Sequence, residues 1–239
     1  QGVNGAYSEQ AGKNVFPDAK SLPCSTFEEM FACVKNDKAD IALVPIENSQ
    51  AGRVADTQRL IPDSDLNIIG EYFLEVRHNL LAVPGTNIND IKRVHSHEQG
   101  IAQCRNKIIK LNKQMVIAAD TAGSAKKISE LKNKEDAAIA SSLAAEIYNL
   151  EVLESDFQDA EHNVTRFLIM SKDKSDLEPS ESNIITTLVF VVRSIPASLY
   201  KCLGGFASNG VNITKLESYI HPQGFDVAQF YIDFEGHPE

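Results

Sequence analysis

The chain has 239 residues, 43% of them apolar, and its 23 basic and 33 acidic side chains leave a formal net charge of −10. That profile fits a soluble globular protein of one large or two modest domains. So acidic a surface, with no Lys/Arg cluster beyond pairs such as Lys126-Lys127, argues against nucleic acid as a partner, and apolar runs such as Thr187 to Val192 fall far short of the roughly 20 residues of a membrane span. Cys24, Cys33, Cys104 and Cys202 show neither C-x-x-C spacing nor histidines at zinc-site intervals, so they read as reduced, packed thiols of a cytoplasmic protein without a metal. The chain opens at Gln1-Gly2 without Met and ends at Pro238-Glu239 directly after a strand-like segment, and both ends are expected to be trimmed.

A glycine turn, Gly5-Ala6-Tyr7-Ser8-Glu9, leads into a helix starting near Tyr7 or Ser8. Free N–H groups there, with the Ser8 hydroxyl, suit a carboxylate or phosphate; the alternative is an ordinary helix cap. Thr26 to Asn36 reads as a helix with two overlapping capping boxes, Ser25-x-x-Glu28 and Thr26-x-x-Glu29, and with Phe27, Met30, Phe31 and Val34 on one face. A buried strand over Ile41 to Val44 follows, stopped by Pro45, and Asn67 to Val76 is a further strand. A second set begins at Leu80 to Val83: a helix around Gln99 to Ile109, a strand Met115 to Ala119, a helix Thr121 to Leu131, a short strand Ala137 to Ala140, a helix Ser142 to Tyr148 and a strand near Val152. Strands separated by helices of this length predict parallel β-α-β units, here two α/β lobes with a crossover near Glu75 to Leu80 and a return near Asn163 to Met170. Ser171 to Ser182, rich in charge and serine and holding Pro179, reads as a linker. After it come strand Ile184 to Val192, helix Ala197 to Ala207, a turn at Asn209-Gly210 and strands Ile213 to Ser218 and Val227 to Phe234. In the last strand Ala228, Phe230, Ile232 and Phe234 alternate with Gln229, Tyr231 and Asp233, which predicts one buried and one exposed face. The order βαββ lacks the αβ that would complete a ferredoxin-like sandwich.

Polar clusters at the ends of these strands are the candidate site, since ligands of open α/β sheets bind beyond the carboxyl ends of strands. They are Glu47-Asn48-Ser49 with Gly52, Ser96-His97 with Gln103 two helical turns on, and Asp120-Thr121. His95 and His97 do not form a metal motif. Asn163-Val164-Thr165-Arg166-Phe167 stands where the chain re-enters the first lobe; Arg166 suits a substrate carboxylate and Thr165 a hydroxyl, against plainer readings as a strand edge and a surface ion pair. Its match to a glycosylation acceptor is set aside for a cytoplasmic protein. With no G-x-S-x-G, Walker loop, dinucleotide fingerprint or nucleophilic triad, the cleft is expected to work without cofactor, metal or covalent intermediate.

Together these segments resemble the prephenate dehydratase family. The resemblance runs over nearly the whole chain, through Gly2-x-x-Gly5-Ala6-Tyr7-Ser8-Glu9, Val44-Pro45-Ile46-Glu47-Asn48-Ser49, Ser96-His97 through Gln103-Cys104, and Asn163-x-Thr165-Arg166-Phe167. The last 57 residues look like that family's ACT regulatory domain, through Leu199-Tyr200-Lys201 and Asn212-x-Thr214-Lys215-Leu216-Glu217-Ser218. It implies an α/β chain with a two-lobed, periplasmic-binding-protein-like catalytic domain over 1–172 (lobe one about 1–76 and 163–172, lobe two about 77–162), a linker over 173–182 and an α+β, ferredoxin-like ACT domain over 183–239, incomplete at its end. It also implies loss of carbon dioxide and water from prephenate to give phenylpyruvate, with feedback inhibition by phenylalanine and assembly as a homodimer or homotetramer. The resemblance ties Thr165, with Arg166 and Phe167, to catalysis. Ala6, Tyr7, Ser8, Asn48, Ser49, Gly52, Ser96, Gln103, Asp120 and Thr121 are carried as substrate-binding, and Ala197, Ser198, Leu199, Gly210, Asn212, Leu216, Glu217 and Ser218 as the phenylalanine site. The family's usual Gly-Ala-Leu reads Ala197-Ser198-Leu199 here, and its Glu-Ser-Arg-Pro reads Glu217-Ser218-Tyr219-Ile220. Arogenate dehydratase and a non-catalytic two-lobed binding protein are the alternative readings.

Overall fold

The computed structural model describes residues 1–175, 177–178, 183–220 and 227–238. The chain divides into two compact units, Gln1–Lys174 and Ser175–Glu239. The first holds two sheets. Sheet one comprises β1 (Ile41–Asn48), β2 (Gly52–Arg53), β3 (Asn67–Glu75) and β9 (Val164–Ser171) in the order β2-β1-β9-β3. Sheet two comprises β4 (Asn79–Ala82), β5 (Arg93–His97), β6 (Gln114–Ala118), β7 (Asp136–Ala140) and β8 (Glu151–Glu154) in the order β6-β5-β7-β4-β8. The chain crosses from one sheet to the other after β3 and returns as β9.

The parallel β-α-β pattern holds in part of sheet two, where β5 runs parallel to β6 and β7, while β4 is antiparallel to both β7 and β8. In sheet one it does not: β9 inserts between β1 and β3 and is antiparallel to both. A strand returning from the far lobe takes the central slot, so β1 and β3, though parallel to each other, never pair. Nor does Pro45 end β1. The strand runs through it to Asn48, because the register shifts between Pro45 and Glu47, and such an irregularity tolerates the missing N–H.

Side chains on successive residues of β1 and β9 face opposite ways. Helix α2 (Phe27–Lys35) covers one side with Met30, Phe31 and Val34 against Val44, Ile46, Leu168 and Met170. Helix α1 (Tyr7–Val15) covers the other, with Ala11 and Tyr7 against Leu43, Leu74 and Phe167. Arg166 therefore lies on the α2 side and Thr165 and Phe167 on the α1 side. Each core residue of this size contributes about 1.5–3 kcal/mol by burial, which fixes the register that separates Thr165 from Arg166. At the start of α2 the Thr26 hydroxyl accepts from the Glu29 N–H at 3.1 Å, which makes Thr26 the N-cap, and the Glu29 carboxylate reaches one residue further back, accepting from the Ser25 N–H at 2.6 Å rather than from Thr26 itself.

In sheet two, β7 is buried along its whole length. Its alanines let α6 (Thr121–Leu131) and α7 (Ser142–Ile147) approach one face, while Ile101, Cys104 and Ile108 pack on the other. The helix expected over Gln99 to Ile109 is two helices, α4 (Glu98–Gln103) and α5 (Arg105–Lys110). Asp159 divides them. Its N–H takes the Gln103 carbonyl at 2.7 Å, and its carboxylate accepts from the N–H groups of Asn106 and Lys107 at 2.8 and 3.2 Å, so one residue closes the first helix and caps the second. The short α3 (Ala55–Leu60) continues into a 3-10 turn over Ile61–Asp63.

The second unit is a three-stranded antiparallel sheet of β10 (Ile185–Arg193), β12 (Val227–Glu235) and β11 (Ile213–Ile220), with β12 central, and one helix, α8 (Ser198–Ser208). Phe206 of α8 meets Phe234 with ring centroids 5.3 Å apart, and Phe190 stacks on Phe230 at 5.4 Å. The predicted exposed face of β12 is not exposed: residues 230–234 are all buried, Tyr231 and Asp233 fully. Asp233 is tolerated there because its carboxylate accepts from the Thr187 hydroxyl at 2.7 Å. Ala197 lies outside α8, at φ +65°. This is the left-handed region, where a Cβ costs about 1–2 kcal/mol, and it accounts for the glycine usual at that position. Among the described residues no helix is long and apolar enough to cross a membrane.

One buried charge cluster anchors sheet two. Asp136 pairs with Arg93 through Oδ1–Nε at 2.6 Å and Oδ2–Nη2 at 2.7 Å, and also meets His95 Nε2 at 2.8 Å and Asn133 Nδ2 at 2.6 Å. The Arg93 hydrogen bonds hold its carboxyl down at about 2, against 3.8 ordinarily. A folded-state value below the unfolded one means that the stabilisation is complete above the unfolded value and is lost as pH falls through about 2. The side chain of Arg93 is 37% exposed, so solvent screening trims the contribution to about 2 kcal/mol. Asp136→Asn is expected to lower the free energy of urea unfolding at neutral pH by that amount and to flatten the acid limb of the stability curve.

Candidate functional site

The two segments joining the lobes run side by side. The Val76 N–H donates to the Asn163 carbonyl at 2.6 Å, and the Phe157 N–H to the His78 carbonyl at 2.6 Å. A chain of polar side chains collects where they meet. Asn48, at the end of β1, is paired in register with Thr165 of β9. Its Nδ2 donates to Thr165 Oγ1 at 2.9 Å and to Asn163 Oδ1 at 2.8 Å, while its Oδ1 accepts from the Gln50 and Ala51 N–H groups at 2.9 and 2.8 Å. Asn163 Nδ2 donates to Gln103 Oε1 at 3.0 Å; that oxygen also lies 2.7 Å from His78 Nε2, and His78 Nδ1 lies 2.7 Å from the Tyr7 hydroxyl. The chain thus spans both lobes, from α1 through the crossover and α4 to β9.

Burial gives these groups their character. Desolvation pushes the Tyr7 phenol well above its usual range, so it stays protonated. It also lowers His78, which is 2% exposed, from 6.5, against the opposing pull of its hydrogen bond to Gln103. The imidazole is therefore neutral at pH 7. Beside the chain lies a cavity of about 280 Å³, lined by Gln50, Ala102, Gln103, Gln158, Asp159, Ala160 and Asn163; the Asp159 carboxylate is engaged by the N–H groups of Asn106 and Lys107. Amides, hydroxyls and one neutral imidazole can bind oxygen-rich groups and orient a hydrogen bond with little change in charge.

The structure brings together Tyr7, Asn48, Gln103 and Thr165 of the predicted residues. Ser49 stands beside them and fastens the end of β1: its N–H donates to the Val164 carbonyl at 2.8 Å and its hydroxyl accepts from the Val164 N–H at 2.9 Å. Gly52, at φ +81°, makes the turn into β2. Phe167 is core beneath α1. Arg166 lies on the opposite face of β9 from Thr165, its Nε 2.7 Å from Glu71 and its Nη1 3.2 Å from Glu47, with its side chain 10% exposed. It is a structural bridge between β1 and β3. Ala6 and Ser8 line a different cavity, of about 480 Å³, between α1, α2 and β1. The N–H groups expected to await an anion there are partly taken, since the Gly5 N–H donates to the Glu9 carboxylate at 2.7 Å.

Ser96, Asp120 and Thr121 form a second group at the ends of β5 and β6. The Ser96 hydroxyl is buried and donates to the Ile139 carbonyl at 2.8 Å. The Asp120 carboxylate caps α6 on the Gly123 N–H. A Cβ on Gly100 would lie 2.7 Å from Ser96 Oγ and 3.5 Å from Thr121 Cγ2, so this glycine lets α4 seat against both. His95 is held by Asp136, and His97 caps α4, accepting from the Gln99 N–H at 3.3 Å. In the second unit, Leu216 and Ser218 pair with Ile232 and Phe230, on the sheet face that carries the Phe206 contact, whereas Glu217 pairs with Tyr231 on the other face and lies 3.1 Å from Lys215. Gly210, at φ +68°, ends α8, donating its N–H to the Ala207 carbonyl at 3.2 Å, and the Asn212 carbonyl accepts from the Glu235 N–H at 2.9 Å.

The sequence reading missed His78. A lone histidine carries no spacing signal; the available clue was its place inside the predicted crossover.

The family model described as prephenate dehydratase matches residues 1–175. Among curated proteins the chain is 45% identical, over all of its length and 85% of the relative's, to a bifunctional N-acyl-homoserine lactone acylase/prephenate dehydratase of Komagataeibacter europaeus. It is 40% identical to arogenate dehydratase/prephenate dehydratase 2, chloroplastic, of Arabidopsis thaliana, over 98% of this chain but only 64% of that one. Among solved structures, a prephenate dehydratase from Arthrobacter aurescens in complex with L-Phe superposes with a TM-score of 0.87 at 33% identity, covering 99% of this chain and 79% of the other.

Proposed function

The chain belongs to the prephenate dehydratase family, and from that premise we propose that its two-lobed, periplasmic-binding-protein-like cleft converts prephenate to phenylpyruvate. The carbon–oxygen bond to the ring hydroxyl breaks, and the departing oxygen leaves as water after taking up a proton. The bond to the ring carboxylate breaks as well, and its electron pair enters the ring, releasing carbon dioxide and leaving an aromatic product. Because aromatisation drives the step, the site has to hold a dicarboxylate and stabilise charge on the leaving oxygen.

The observation that carries this reading is the bond from Asn48 Nδ2 to Thr165 Oγ1 at 2.9 Å. With its oxygen already accepting, Thr165 keeps its O–H to donate to the departing hydroxyl. A threonine hydroxyl is too weak an acid to give up its proton freely, so its contribution is a hydrogen bond that strengthens as negative charge builds. Gln103 and the N–H groups near Ser8 contact the substrate carboxylates, while Asn48, with both amide hydrogens on Thr165 and Asn163, acts on the substrate through Thr165; Ala6, Tyr7, Ser49 and Gly52 shape the first lobe's side, and Ser96, Asp120 and Thr121 the second lobe's. Arg166 and Phe167 serve by fixing the strand that carries Thr165. Thr165→Ala is expected to lower kcat by about 10²-fold or more with a much smaller change in KM, the signature of an interaction made in the transition state; an ultraviolet assay of phenylpyruvate formation measures it, and an unchanged kcat refutes the role.

Arogenate, which carries an amino acid side chain where prephenate carries a keto acid, is the alternative substrate, since the name of the Arabidopsis relative gives both activities. The expected outcome is a higher kcat/KM for prephenate when both are assayed on one preparation.

The second unit we read as an ACT domain of ferredoxin-like type that binds phenylalanine through Ala197, Ser198, Leu199, Gly210, Asn212, Leu216, Glu217 and Ser218, in a cytoplasmic homodimer or homotetramer. The L-Phe complex of the Arthrobacter relative supports it. Inhibition requires phenylalanine to favour one global state over another. Phenylalanine is expected to slow prephenate turnover by the full chain, and Leu199→Asp to weaken that inhibition, read as the shift of the half-inhibitory concentration.

A further inference from the structure

The polar chain linking the lobes has a direction, and that direction is imposed from one end. A backbone N–H can only donate, so the N–H groups of Gln50 and Ala51, at 2.9 and 2.8 Å, identify the Asn48 atom they meet as the oxygen. The Asn48 amide nitrogen then faces Thr165 and Asn163 and spends both hydrogens on them, at 2.9 and 2.8 Å. Asn163 must present its oxygen to Asn48, which turns its own amide nitrogen onto Gln103 at 3.0 Å. Gln103 must therefore present Oε1, and that atom meets His78 Nε2 at 2.7 Å. Two bare acceptors do not share a 2.7 Å contact, so Nε2 carries the proton and Nδ1 is left to accept from the Tyr7 hydroxyl at 2.7 Å. Tyr7 does not choose the tautomer. Its hydroxyl also lies 3.1 Å from the Arg77 carbonyl, so it can donate there if Nδ1 has no lone pair to offer.

We propose that His78 is a positioning residue for the reaction: locked as the neutral Nε2–H tautomer, it holds Gln103 and Asn163 so that Asn48 keeps Thr165 a donor into the cleft. The inference rests on the reading of Thr165 given above. The His78 imidazole is the support at the far end of the relay from the Gln50–Ala51 turn. Without its N–H, Gln103 Oε1 loses one of its two donors and the amide is free to turn. A turned Gln103 sets its NH2 against that of Asn163, and the conflict passes to Asn48, whose backbone partners forbid it to turn in response. The hydroxyl of Thr165 is then no longer fixed by a single donor.

The test uses the full chain. Nitrogen-15 NMR of the imidazole-labelled protein at pH 7, with the His78 signal identified by its loss in His78→Gln, is expected to show a protonated Nε2 and a bare Nδ1. His78→Leu is expected to lower kcat by about 10²-fold with KM little changed, the scale of a misplaced catalytic group. His78→Gln, whose amide can donate where Nε2–H does, is expected to recover most of that loss. A proton on Nδ1, a wild-type kcat in His78→Leu, or a His78→Gln variant as slow as His78→Leu overturns the proposal. A failure of the Thr165 reading is seen separately, in Thr165→Ala, and leaves the tautomer in the spectrum unchanged.

Discussion

Everything in the first unit depends on β9. A strand that starts in the far lobe and ends between β1 and β3 closes sheet one and joins the two lobes for a second time, and its first residues leave the crossover beside Asn48. It is buried from Arg166 to Ser171, so its register is set by the apolar residues Leu168 and Met170 on one side and Phe167 on the other. A slip of one residue would exchange those faces. Thr165 would then point to α2, and Arg166, a cation, would enter the apolar layer under α1. The pairing energy of the core and the placement of the Thr165 hydroxyl are thus one constraint. The paired crossovers add to it: Val76 with Asn163 and His78 with Phe157 tie the two connections into a short ribbon, and the polar chain lies along it.

The distribution of charge follows the same economy. A chain with ten more acidic than basic side chains has few cations to spare, and among the described residues four arginines are committed to carboxylates: Arg59 to Glu28, Arg77 to Glu75 and Asp156, Arg93 to Asp136, and Arg166 to Glu47 and Glu71. What the polar cleft offers near Thr165 is therefore dipolar: amides whose orientations are fixed before any ligand arrives. Fixed dipoles in a site shielded from water require no reorganisation when charge develops. A neutral buried histidine fits this better than a charged one, since a charge at that depth would need a counter-ion.

Much of this was legible in the sequence. The N-cap at Thr26, the helix from Thr121 to Leu131, the crossover, the return strand and the polar residues at strand ends all follow from local rules of period and capping. Pro45 misled because a proline ends a strand only where its N–H is needed, and the need depends on a register shift fixed by a partner strand more than a hundred residues away. The same distance hid the antiparallel pairing of sheet one. Thr165 and Asn48 could be proposed as neighbours in function; that they are opposite one another in register could not. Adjacent letters in Thr165-Arg166 suggested joint action, yet alternation along a strand sends them to opposite faces. His78 stayed hidden because its meaning comes from what its two nitrogens touch, and Asp233, read as exposed, is buried because Thr187 on the neighbouring strand satisfies it.

The turn before α1 bears on how far the lobes stand apart. Gly5 has φ +86°, and a Cβ there would lie 2.9 Å from the Cα of Ala144 in the other lobe, while its carbonyl accepts from Ser141 Oγ at 2.6 Å and the Asn4 carbonyl from the Tyr148 hydroxyl at 2.7 Å. The helix that carries Tyr7 is therefore clasped to the opposite lobe through a spot with no room for one carbon atom. That missing carbon acts as a gauge: it sets the spacing at which the imidazole of the crossover meets the phenol of α1, and any side chain at position 5 would be a wedge driven between the two halves of the cleft.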